Sequence, residues 1–269
     1  MAFKKGWASV AKANKESAPK GEITKFPSGE TRLIQFKSLE DVFPYFSYGV
    51  YSKTPSKKVN TFIPKNPATF NEDGYVESNL TSWDKASQYY YERAKEDEAN
   101  SKALKDLAYK FSAKPRFLIA VYDVTIGQDI VLDLTKVQAG SVMDALFDYV
   151  DVDANGEPVE DGDHDFLDMV FKISKKGSGT GTTVTLSPIV NVNKGLTDAE
   201  KANLESEAAK TPIPETIFDG LLFELDDEDM LRGLVTAEFD LSIIGEVAPP
   251  PKVEEENEES AEENPEEEF

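Results

Sequence analysis

Five aromatic residues, Phe43, Tyr45, Phe46, Tyr48 and Tyr51, fall within nine positions, and Lys53, Lys57 and Lys58 follow at once. Flat rings beside ammonium groups suit an unpaired polynucleotide strand, which offers exposed base faces along a charged backbone. One stacked base contributes about 1–3 kcal/mol whatever its identity. The same residues also suit plain sheet packing, where alternation turns about half of the rings inward. Tyr45, Tyr48 and Tyr51 are the expected outward set. The stretch "YKFSAKPRF" gathers the same types again, with Tyr109, Lys110, Phe111, Lys114 and Arg116 leading into an apolar run. Its cations could hold phosphates or complement a helix C-terminus, and the two readings are compatible. The expected interface therefore stacks bases on Tyr45, Tyr48, Tyr51 and Phe111. It meets phosphates with Lys53, Lys57, Lys58, Lys114, Arg116 and Lys172.

Other chemistry finds little support. "KISKKGSGTG" sets Lys172, Lys175 and Lys176 beside a Gly-rich tip, but no G-K-[ST] follows with P-loop spacing, and a solvated turn explains it. "DVDANGEPVEDGDHD" opens like a calcium loop with Asp151, Asp153, Asn155 and Gly156. Gly162 then stands where the bidentate Glu belongs, and Pro158 takes the apolar position. An acidic loop with an Asn-Gly turn accounts for the same residues. His164, the single histidine, is expected at the surface between Asp163 and Asp165. With no cysteine, no nucleophile elbow and no metal-spaced His pair, neither catalysis nor a metal or cofactor is expected.

The elements that must position these residues are mainly strands. "GETRLIQF" alternates with Leu33 on one face and Arg32, Ile34 and Phe36 on the other. "VFPYFSYGVYSK" and "KKVNTFIPKN" continue as strands bent by Pro and Gly. Residues 83–111 read as one long or two short helices, capped by Thr81 or Ser82. "KPRFLIAVYDVTIGQDIVLDL" is a hairpin turning near Gly127, and "GSVMDALFDYV" an amphipathic helix. A second hairpin begins with Leu167, Met169, Phe171 and Ile173 on one face, and helices are expected near 197–209 and 226–237. The expected fold is mainly β with inserted helices: a five-stranded barrel of the OB type, or else a generic α+β sheet, since periodicity does not choose. The barrel would span 26–245, with its helical insertion at about 66–112.

Charge divides the chain. Its 269 residues carry −22 overall, yet residues 1–65 hold twelve cations against five acids, which is +7. Residues 246–269 hold eleven Glu against one Lys, which is −10. Such asymmetry points to nucleic acid or self-regulation, and a merely soluble acidic protein is the plainer reading. Residues 1–25 read as a basic mobile arm, in which Lys4, Lys5 and Lys12 would contact a neighbouring protomer or its tail. Residues 246–269 read as a disordered acidic tail after the hinge "APPPK". No apolar run is long enough for a membrane span, no secretion signal is read at the N-terminus, and the absence of cysteine fits a cytoplasm.

In the order of these parts the chain resembles the phage single-stranded DNA-binding (helix-destabilising) proteins of the T-even type. The matching stretches are the basic arm, "GETRLIQFKS", "YKFSAKPRFLIAVYDV", "LTKVQAGSVMDAL", "DFLDMVFKISK" and the acidic tail. The resemblance implies an OB-fold core, cooperative self-association through the arm, and a tail that recruits replication proteins such as polymerase or helicase/primase, in the cytoplasm of a bacterial host. It departs at the insertion, where the T-even members carry a Cys/His zinc module. Residues 66–108 here hold neither residue type, so zinc is not carried over. The tail would rival DNA for the basic groove, and Glu266, Glu267, Glu268 and Phe269 would then anchor a partner. A competing expectation is an acidic interaction module, either a DNA-mimic inhibitor or a scaffold. An enzyme acting on nucleic acid lacks the required carboxylate cluster.

Overall fold

The computed structural model describes residues 22–71, 74–153, 159 and 164–250. The arm lysines Lys4, Lys5 and Lys12 and the tail residues Glu266, Glu267, Glu268 and Phe269 lie outside them, as does most of the acidic loop after Asp153.

The structure is a mixed α/β arrangement around one large, mostly antiparallel sheet. Its axis is β6 (Lys114–Asp123), which turns through Gly127 into β7 (Gln128–Thr135). These two pair along their whole length, from Arg116 opposite Thr135 to Asp123 opposite Gln128. The other edge of β6 is shared. β2 (Val42–Val50) covers Lys114–Ile119, and β1 (Thr31–Gln35) covers Tyr122 and Asp123. Beyond β1 lie β8 (Phe171–Lys176) and β9 (Thr183–Pro188). Beyond β2 lie β3 (Val59–Pro64) and the short parallel β10 (Glu224–Leu225). A separate ribbon pairs β4 (Thr69–Phe70) with β5 (Val76–Ser78).

The closed barrel expected from the sequence is not formed. Among the described residues β9 pairs only with β8, and no ladder joins it to β7, so the sheet stays open. Closure rests on a long-range pairing that no local period encodes.

Helices cover both faces. Period-two alternation along β6 sends Ile119 and Val121 to a cluster under α3 (Lys136–Phe147), and Leu118 and Ala120 to the opposite cluster around Ile213. α3 starts earlier than the pattern from Gly140 predicts, because Thr135 and Gln138 form a capping box. The expected strand from Leu167 starts only at Phe171, since Asp165–Asp168 form one 3-10 turn.

A second lobe gathers at the far end of β2 and β3. α1 (Ser82–Glu96) and α2 (Ser101–Phe111) replace the single-helix option, with Asp97 and Asn100 closing the break between them. Thr81 caps α1 through a reciprocal box with Asp84. Trp83, fully buried, donates from its indole to the Met230 carbonyl at 2.9 Å and so ties α1 to α7 (Asp227–Thr236). Between α3 and α7 the short helices α4 (Val192–Gly195), α5 (Asp198–Glu205) and α6 (Glu207–Lys210) pass over the sheet near Tyr122. No helix among the described residues is long and apolar enough to cross a membrane.

Candidate functional site

Where β2 leaves β6 to pair with β3, the sheet opens into a groove of about 330 Å³. Tyr51, Lys58, Asn60, Thr61, Lys114 and Arg116 line it above the Ser47–Val50 backbone. The floor depends on a bulge. Register shifts between Tyr48 and Val50, and Gly49 sits there at φ +144°. A Cβ at Gly49 would stand 3.1 Å from the Asn60 carbonyl oxygen and 3.2 Å from the Thr61 Cα, both backbone atoms that cannot swing away. Only glycine meets both demands.

No carboxylate among the described residues lines the groove, although the whole chain carries −22. Lys53 and Lys58 are exposed. Lys114 is half-buried, and its ammonium donates to the carbonyls of Tyr109 at 3.0 Å and Ser112 at 3.1 Å while lying 4.8 Å from the centre of the Tyr109 ring. It forms no ion pair among the described residues. Burial pulls its pKa down from 10.5 to about 8. Dipoles thus position the charge without neutralising it, and an incoming anion would find it uncompensated.

Arg116 differs. It forms a two-pronged pair with Asp133, Nε to Oδ1 at 2.9 Å and Nη2 to Oδ2 at 2.7 Å, with Nε also 3.2 Å from the Tyr45 hydroxyl. Burial lowers its pKa, and the Asp133 contacts more than reverse this. Much of its charge is already spent on Asp133, so it shapes the wall more than it attracts phosphate.

Five expected interface residues meet at this groove: Tyr48, Tyr51, Lys58, Lys114 and Arg116. Three of the expected stacking rings nevertheless face inward. Tyr48 is 2% exposed, and its hydroxyl donates to both Asp84 oxygens at 2.9 and 3.0 Å; burial first, and then the Asp84 charge, raises its pKa. Tyr45 is 9% exposed and donates to Asp133 at 3.0 Å. Phe111 is 1% exposed, between Trp83, Tyr90 and Phe239 at 5.4 to 5.9 Å. Tyr51 alone, at 85% exposure, presents a free ring.

Lys57 is exposed but paired with Glu238 at 2.6 Å, and Lys172 lies on β8, opposite Leu33 and Ser187, away from the groove. Reading from sequence passed over Asn60 and Thr61, whose only signal was alternation on β3, and gave Tyr109 no stacking role although it is 61% exposed and faces Lys114. His164 is buried rather than superficial: its Nδ1 accepts from the Asp151 amide at 3.0 Å and its ring stacks on Phe166. Among the described residues no three acidic, His or Cys groups are placed to hold a metal.

A second cavity of about 360 Å³ adjoins the first, sharing Tyr48 with it. Phe43, Phe46, Phe70, Phe218 and Leu222 form its apolar walls. Phe46 and Phe70 stack 3.7 Å apart at 10°, which fastens the β4–β5 ribbon to β2. No family model matches the chain, and no curated protein matches it significantly.

Proposed function

We propose that the protein is a non-enzymatic binder of single-stranded DNA that coats strands with little regard to sequence during phage replication, recombination or repair. The observation that carries this reading is a groove with no carboxylate in its lining among the described residues, in which Lys58, Lys114 and the exposed Tyr51 meet within a strongly acidic chain. Flat ring and uncompensated ammonium together answer a base and its phosphate. Support also comes from the order of parts. The chain order of β1/β2, β6 and β7, then α3, then the β8–β9 hairpin is compatible with that of an OB module, although the sheet here stays open. On this reading the acidic tail rivals DNA for the groove, and once released it recruits replication proteins through Phe269. The basic arm would support self-association along the strand.

The test is a titration of labelled oligo-dT across salt concentrations. Lys53, Lys58 and Lys114 neutralising three phosphates predict a slope of log affinity on log salt of about −2, since each phosphate contributes about −0.7. Between 50 and 200 mM salt, affinity then falls roughly twentyfold. A salt-independent affinity, or no affinity for oligo-dT beside tight capture of a basic protein, would replace this reading with that of an acidic interaction module.

A further inference from the structure

The second cavity differs from the groove in charge. Among the described residues its charged lining consists of Asp219 and Glu224, both exposed, so a phosphate is repelled from it. Its walls are aromatic and aliphatic, and Phe43, stacked against Phe218 at 5.8 Å and 27°, still leaves 44% of its surface to solvent. A fitting occupant is flat and apolar on its faces and donates hydrogen bonds at its edge. The cavity also adjoins the groove. Tyr48 lines both, and Tyr45, which lines the cavity, carries a hydroxyl 3.2 Å from the Arg116 Nε of the groove.

We propose that this cavity receives one unstacked nucleobase from the strand whose phosphates lie in the groove, and that Asp219 and Glu224 make it favour bases bearing an amino group over thymine. The inference rests on the single-stranded DNA reading above and adds a base site to it. Cytosine, adenine and guanine each offer exocyclic N–H donors, and a carboxylate accepting from the cytosine amino group is a known mode of base readout. Thymine has no exocyclic amino group, and its one ring N–H lies between two carbonyl oxygens that the same carboxylates repel. The result is a bias in composition rather than a sequence code, laid over the tolerant stacking at Tyr51.

The experiment compares oligo-dC, oligo-dT and an abasic deoxyribose-phosphate strand of equal length by fluorescence anisotropy at fixed salt. The parent protein should bind oligo-dC about fivefold more tightly than oligo-dT, as one exposed amino contact allows, and the abasic strand most weakly. The double variant Asp219→Asn with Glu224→Gln should bring the dC-to-dT ratio to about one. Phe43→Ala should narrow the gap between oligo-dC and the abasic strand. Both variants alter exposed positions, and a urea melt matching the parent's confirms that they fold. Equal, salt-dependent binding of oligo-dC and oligo-dT, both tighter than the abasic strand, overturns the base site while the proposed function stands. Absence of binding to any strand overturns both. A Phe43→Ala variant that weakens every strand in the same proportion also overturns the base site.

Discussion

Tyr51 and Phe111 were both expected to stack bases, and the structure separates them sharply enough to predict opposite behaviour on truncation. The Tyr51 ring is 85% exposed, so Tyr51→Ala removes little native contact and should change stability by no more than about 0.5 kcal/mol. If a base lies on that ring, the loss of stacking is about 1–3 kcal/mol, or roughly five- to 150-fold in affinity. Phe111 is 1% exposed and makes ring contacts to Trp83, Tyr90 and Phe239 at 5.7, 5.9 and 5.4 Å. Phe111→Ala leaves a cavity and should cost about 3–5 kcal/mol, a large part of a domain's typical 5–15 kcal/mol. Urea unfolding followed by Trp83 fluorescence, with Trp7 replaced by Phe, gives the stability of each variant, and oligo-dT anisotropy gives the affinity. Tyr51→Ala should keep the melt and lose binding, whereas Phe111→Ala should shift the melt to lower urea. Two results refute the reasoning: oligo-dT affinity within twofold of the parent for Tyr51→Ala, or an unshifted melt with weakened binding for Phe111→Ala.

Lys114 should impose a pH dependence, because its ammonium is lost as pH rises through about 8; oligo-dT affinity should weaken across that range, and Lys114→Arg should flatten the profile. The same shift affects stability with a defined sign: between pH 8 and 10.5 the unfolded chain holds the extra proton, so this group makes urea midpoints rise with pH there. Gly49→Ala should destabilise the fold by about 1–3 kcal/mol and weaken oligo-dT binding, since its Cβ meets the Asn60 and Thr61 backbone at a φ that disfavours side chains; an unchanged melt would contradict this. Deleting 254–269 should strengthen oligo-dT binding most at low salt, where screening is weak, and removing Phe269 alone should leave it unchanged while weakening capture of a replication partner.

Much of the fold is legible where a signal is local. The β6–β7 hairpin follows from two apolar runs around Gly127, whose φ of +70° is that of a glycine turn. The α1–α2 pair follows from the cap at Thr81 and the charge-rich stretch behind it, although the break at Asp97–Asn100 carries only side-chain capping that periodicity does not register. β10 is two residues long and pairs in parallel with a strand some 160 positions earlier, so no window of sequence contains it. Barrel closure failed as an expectation for the same reason. It is a statement about β7 and β9, not about either one.

The site was half legible, because both faces of β2 are covered. Alternation sets Tyr45 and Tyr48 on opposite faces, and each is buried in a cluster of its own, while Tyr51 lies just past the strand's end at Val50. The hydroxyls of Tyr45 and Tyr48 find carboxylates 88 and 36 positions away, at Asp133 and Asp84, and those partners allow two tyrosines to be buried in a stretch that otherwise reads as a stacking platform. Net charge misleads in the same manner. What an approaching phosphate meets is the local field, and Asp133 offsets Arg116 while nothing among the described residues offsets Lys114. A chain at −22 can therefore hold a cationic groove, provided its acids are kept out of the lining and its nearest cation is pinned by carbonyls instead of a counter-ion. The decisive quantity is the distance from each ammonium to the nearest carboxylate, and composition does not contain it.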